Sequence, residues 1–189
     1  MTSSPVPAPT ATPTGRTTVH LQDAHLGIQV ENLEQACALL GDLFDLTFAE
    51  PITGWPIAVR VGDEIEESEG RFTVSRQGPP YVEVTENVPG SRVWHSEGRP
   101  MTFHHLGFWV DDVQAASERL AEAGYPVEAG GLNEHGGYRY TYHDVAGLRV
   151  EMADAAARPA FERWAVTGEA DGISGEFELT GATDGGAQA

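Results

Sequence analysis

The chain has 189 residues, enough for one ordinary domain or two small ones with a real core. Its 11 basic residues face 29 acidic ones, a net charge of −18, and every basic residue is arginine. The missing lysine excludes a lysine Schiff base and the phosphate-cradling lysine of a P-loop. The acidic surplus argues against a phosphate-backbone binder, which needs a basic patch, so nucleic acid is not an expected partner.

Residues 1–16 hold Pro5, Pro7, Pro9 and Pro13 among Thr, Ser and Ala and read as a disordered tail. This stretch has neither a basic segment nor an apolar one, so it is not a signal peptide. No apolar run approaches a membrane span, and the single cysteine, Cys37, forms no internal disulfide. Cytoplasm is the expected setting, with no membrane partner. Cys37 reads as a small residue on a helix face rather than a nucleophile.

A folded body is expected over residues 17–166, with a first module at about 20–88 and a second at about 100–155. The first opens with a strand at 24–30. Asn32 then caps a helix with an apolar stripe of Leu33, Ala36, Leu39 and Leu40, and Gly41 is the expected stop. Alternating segments follow at 44–49, 56–61, 71–76 and 80–86, with the acidic run Asp63–Glu69 as a solvated loop. The second module repeats the pattern: a strand around 105–110, Asp112 as cap, and a helix with Val113, Ala116 and Leu120 inward. Gly124 is its stop, and segments at 125–128, 137–143 and 147–153 follow. Pro159 starts a short helix through Trp164. Residues 167–189 form an acidic, Gly-rich tail in which Gly175–Thr180 alternates like an added strand.

The two modules share an internal repeat. His25-Leu26-Gly27-Ile28-Gln29-Val30 lies over His105-Leu106-Gly107-Phe108-Trp109-Val110 at an offset of 80 residues without a gap. Strand side chains alternate between faces, so the aliphatic residues of each copy share one face and the histidine points to the other. The closing strands do the same, with Glu83 opposite Val82 and Val84, and Glu151 opposite Val150 and Met152. Approximate two-fold symmetry would bring two imidazoles and two carboxylates together, a set that suits a divalent metal with positions left for water and substrate. Parity places His104 on the aliphatic face as packing. His135 and His143 read as solvated strand ends, and Tyr138, Tyr140 and Tyr142 share one face.

His-Leu-Gly opening each half, with Val82-Glu83-Val84 and Val150-Glu151-Met152 near the ends, resembles the vicinal oxygen chelate superfamily of glyoxalases, epimerases, extradiol dioxygenases and antibiotic-resistance proteins. The resemblance covers about residues 20–155. It implies an α+β fold of two tandem βαβββ modules paired into an open, curved mixed sheet around a central site. Carried over position by position, the metal ligands are His25, Glu83, His105 and Glu151, with Glu83 or Glu151 also shuttling a proton. The ion would be divalent: Zn, Ni, Co, Mn or Fe. The implied activity is a metal-dependent isomerase, epimerase or lyase acting through an enolate on a small 2-oxo or acyl-thioester substrate, in a homodimer. Tyr81–Thr85 and Phe103–Gly107 look most like the methylmalonyl-CoA epimerase branch. Those enzymes often carry an amide where this chain has Glu83. Arg60, Arg76, Arg92 and Arg99 are candidates for a patch facing a CoA phosphate. The alternatives are an extradiol-type dioxygenase and a non-catalytic module that binds a drug or metabolite between aromatic walls.

Overall fold

The computed structural model describes residues 19, 23–133 and 135–170. The proline-rich tail, His20 and the strand expected at 175–180 lie outside these residues. The chain runs β1 (His25–Val30), α1 (Leu33–Phe44), β2 (Ile52–Val61), β3 (Glu64–Val74), β4 (Tyr81–Glu86), then β5 (Met101–Val110), α2 (Val113–Glu122), β6 (Val127–Leu132), β7 (Tyr138–Val145) and β8 (Leu148–Asp154). A 3-10 turn at 155–157 leads into α3 (Arg158–Thr167).

The expected open sheet is instead closed. In order around the barrel the strands are β1-β4-β3-β2-β6-β7-β8-β5. Two antiparallel seams join the halves: β1 with β5, and β2 with β6 through Val59–Val61 and Ala129–Gly131. The second seam exists because β2 and β3 are long. The acidic run 63–69 is a turn into β3 rather than a loop, because Glu64–Val74 pairs with β2 along an extended hairpin. The strand expected at 44–49 is replaced by the end of α1 and an isolated bridge from Phe48 to Ser75. Gly41 does not stop α1, which runs one turn further to Asp45 in the left-handed conformation.

Both helices start as their sequences dictate. The Asn32 side chain accepts from the Gln35 amide at 2.8 Å and Asp112 from Ala115 at 2.9 Å, which satisfies free amides of the first turns. Leu33, Ala36 and Leu40 of α1 pack on Val30 and Val84; Val113 and Ala116 of α2 pack on Val110, Val150 and Met152. These clusters lie outside the barrel and leave the opposite strand faces to its interior.

Helix α3 joins a third cluster around Val74 and Tyr81. Trp164 is fully buried there, with its indole N–H donating to the Glu50 carbonyl at 3.1 Å. Replacing it removes a large apolar volume and leaves that carbonyl without its partner. Trp164→Ala is expected to lower the unfolding free energy by about 3–5 kcal/mol in urea titrations.

Candidate metal centre and its cavity

The site is built on four adjacent strands, β4-β1-β5-β8. Their register sets Gly27 between Glu83 on β4 and His105 on β5, and Gly107 between His25 on β1 and Glu151 on β8. The two glycines make the arrangement feasible. A Cβ on Gly27 would fall into the His105 ring, and a Cβ on Gly107 into the His25 ring. Each imidazole therefore lies over the glycine of the other repeat, and the two rings meet edge to face with centroids 5.2 Å apart.

One chain brings all four residues together. His25 Nε2 is 2.7 Å from Glu151 Oε2 and 3.9 Å from Glu83 Oε2, and His105 Nε2 is 3.4 Å from the same Glu151 oxygen. Ligand atoms of His25, Glu83 and His105 lie within 4.8 Å of one another. Both histidines and Glu151 are buried, whereas a fifth of the Glu83 side chain is accessible. His105 Nε2 is buried without a hydrogen-bond partner, although an imidazole nitrogen out of water needs one.

The two glutamates differ electrostatically. Burial, helped by the Glu151 charge, raises the Glu83 carboxyl to about 7, against the pull of His25 and the Thr85 hydroxyl. Burial also opposes the Glu151 charge, but His105, His25 and the Tyr142 hydroxyl outweigh it and hold Glu151 low and ionised. At His25 burial opposes the charge, and Glu151 and Glu83 together overcome it and raise the pKa.

His104 is buried as expected, but its work is polar. The β1–β5 register pairs Gly27 with His105 and Ile28 with Phe103, so His104 is the extra residue of a β-bulge. The bulge breaks the alternation that parity assumed and brings His104 Nδ1 to 2.8 Å from His105 Nδ1. Its Nε2 lies 2.9 Å from the Val93 carbonyl and 2.8 Å from Arg149. A proton on His105 Nδ1, donated to His104 Nδ1, leaves the lone pair of His105 Nε2 facing the cluster.

The other residues singled out separate as follows. His143 is fully buried against the Tyr125 carbonyl and Thr141 hydroxyl, not solvated. A second register shift, between Gly131 and Leu132, turns Tyr138 away toward the α2 cluster and leaves Tyr140, Tyr142, Arg139 and His135 lining the cavity. Cys37 is half-buried on α1, and burial pushes its thiol up to about 11, which suits packing rather than attack. Two of the four arginines expected to form a patch have partners of their own. Arg92 pairs with Glu64 and Glu66, and Arg76 donates to the carbonyls of Phe48 and Val166.

His25, Glu83 and Glu151 open on an interior cavity of about 440 Å³. It is walled by aromatic side chains and closed on one side by Ala160, Phe161 and Trp164 of α3.

The sequence pattern of the Glyoxalase/Bleomycin resistance protein/Dioxygenase superfamily matches residues 24–142. The chain belongs to this superfamily. No curated protein matches it in sequence. Among solved structures the superfamily member is similar to methylmalonyl-CoA epimerase from Mycobacterium tuberculosis, with a TM-score of 0.51 and 17% identity over 77% of this chain and 96% of that one. A methylmalonyl-CoA epimerase in complex with methylmalonyl-CoA and NH4+ gives 0.50 and 17% over 74% and 97%. A Streptomyces coelicolor methylmalonyl-CoA epimerase variant with 2-nitronate-propionyl-CoA gives 0.50 and 16% over 74% and 100%. At this identity the likeness is one of fold. No helix among the described residues is long and apolar enough to cross a membrane.

The buried imidazoles set the response of this superfamily member to acid. Burial, with Arg149 nearby, lowers His104 to about 4; burial takes His105 well below its ordinary value and lowers His143. Between about pH 6.5 and 4.5 the unfolded chain takes up protons on these rings that the fold refuses. Glu83 works the other way with one proton, and His25, whose pKa the fold raises, does so at the top of the window. Stability of metal-free protein is therefore expected to fall as pH drops through that window, with His104→Gln flattening the slope by about one proton in urea titrations. A level profile would show the rings charged in the fold.

Proposed function

We propose that this protein is a divalent-metal-dependent enzyme that moves a proton at the carbon beside a carbonyl, through an enolate, on a small 2-oxo or acyl-thioester substrate. Isomerases, epimerases and lyases share this step. The observation that carries the reading is the placement of the two glutamates around the paired histidines: Glu151 buried and tied to His25, Glu83 a fifth accessible and facing the cavity.

The donor set fits a divalent ion. Ligand atoms of His25, Glu83 and His105 converge, Glu151 Oε2 lies 2.7 Å and 3.4 Å from the two imidazoles, and the Nε2 of His105 has no hydrogen-bond partner. His25, Glu83, His105 and Glu151 would hold Zn, Ni, Co, Mn or Fe. Such an ion, when bound, acts as a Lewis acid toward substrate oxygens and lowers the energy of charge developing there.

The chain's own groups do the rest. His104 fixes the tautomer of His105, and Tyr142 orients Glu151. Glu83 lines the cavity with a fifth of its side chain accessible, and a carboxylate placed there can accept a proton from carbon and return it. Glu151, tied to His25, is the less mobile of the pair and serves to position. The fold shared with methylmalonyl-CoA epimerases supports an epimerase-like member of the class.

Metal-loaded protein in deuterated water is expected to exchange the proton beside the carbonyl of its substrate. Glu83→Gln should slow that exchange by about 10²–10⁴-fold, followed by NMR, with metal stoichiometry retained. His25→Ala should lose the metal. No exchange into any of a panel of 2-oxo acids and acyl-CoA thioesters would overturn the proposal.

A further inference from the structure

One buried polar group takes no part in the chemistry above. Gln29 on β1 is fully buried, and neither its amide nitrogen nor its amide oxygen has a hydrogen-bond partner among the described residues. An amide withdrawn from water with nothing to bond is costly, and buried polar groups are satisfied by protein or by ordered water. Gln29 lies two residues beyond Gly27, on the strand face that His25 shares, so it points into the barrel. Its register partner on β4 is Thr85, which is also buried. The next interior position along that chain is Asn87, whose backbone N–H donates to the Val30 carbonyl at 2.8 Å. Asn87 Nδ2 donates to Ser96 Oγ at 2.9 Å, while its Oδ1 is buried without a partner.

The internal repeat supplies a control. Where the first half sets Gln29 beside Thr85, the second sets Trp109 beside Ala153 in the same register. The fold accepts an apolar pair here, so packing does not demand the polar one. The unpartnered atoms of Gln29 and Asn87 call for a group that both donates and accepts. An N–H repels a cation, and the two amide oxygens repel an anion; a water molecule meets all of them. Thr85 extends the set toward the metal-ligand cluster. Its hydroxyl donates to Glu83 Oε1 at 3.1 Å, which leaves its oxygen as an acceptor.

We infer that Gln29 and Asn87 hold an ordered water inside the barrel, and that this water keeps Thr85 turned onto Glu83. Gln29 and Thr85 are then positioning residues for Glu83. The hydration site stands on burial and hydrogen bonding alone, and its effect through Glu83 rests on the proposed metal reading.

Oxygen-17 relaxation dispersion of the solvent counts long-lived internal waters. Gln29→Met is expected to lose about one relative to wild type, and Asn87→Ala, at the half-buried edge of the group, to lose the same one. The sign of the stability change is a second readout. Removing an amide that water partners raises the unfolding equilibrium constant, here by about 5-fold or more in urea titrations, whereas removing a dry, unpaired amide lowers it. Zinc titration reads the link to Glu83. Gln29→Met and Thr85→Val are each expected to weaken zinc by about 10-fold, the double variant to weaken it no further, and Thr85→Ser to keep wild-type affinity. An unchanged water count, or a Gln29→Met protein more stable than wild type, would overturn the hydration site. Loss of the water with zinc affinity unchanged would overturn the positioning role. Wild-type protein that takes up no zinc sinks the metal reading instead and leaves the water result standing.

Discussion

An imidazole can lie flat across a neighbouring strand only where that strand carries no side chain. The structure depends on this constraint being met twice, reciprocally: His25 covers Gly107, and His105 covers Gly27. The crossing fixes the antiparallel register of β1 and β5, since a slip of one residue would turn every side chain to the other face. It also determines where the glutamates stand. Each lies on the outer neighbour of a glycine, so each carboxylate reaches past an empty position toward an imidazole. A side chain at either glycine would separate the two halves of the site and disturb the seam that closes the barrel.

Concentrating buried titratable groups in this way runs against the usual sorting of polar residues to the surface. The fold accommodates them by pairing. Glu151 pairs with His25, the Thr85 hydroxyl donates to Glu83, and His104 Nε2 meets the Val93 carbonyl and the Arg149 guanidinium. What remains unpartnered is confined to a few atoms, among them His105 Nε2 at the centre of the cluster. Local dissatisfaction of this kind is expected at functional sites.

Much of this was legible in the sequence, for a physical reason. Strand alternation is a strict rule over short runs, and the gap-free repeat of His-Leu-Gly applied it to both halves at once, so His25, Glu83, His105 and Glu151 could be placed on one face. The same rule explains the failures. His104 and Tyr138 were misplaced because bulges break alternation, and a bulge leaves no mark in composition. The hairpin through 63–69 was hidden by charge, because glutamates on the solvent side of a twisted ribbon look like a loop. Closure of the sheet followed from the length of that hairpin and could not be read from either repeat alone. The tryptophans that line the cavity, Trp55, Trp94, Trp109 and Trp164, were visible as residues but not as a wall, since they come from four separate parts of the chain.

The bulge at His104 has one more consequence. A regular strand transmits phase: a change of register at one end is felt at the other. Here the extra residue divides β5 into two stretches that pair with β1 on different phases, Met101–Phe103 on one and His105–Gly107 on the other. The upstream stretch follows the loop that leads out of the first half, and the downstream stretch follows the site. Length changes in the connection between the halves can be absorbed at this joint without rotating His105 off its glycine. The joint uncouples the geometry of the chemistry from that of the linker, which leaves the linker free to vary while the site is held.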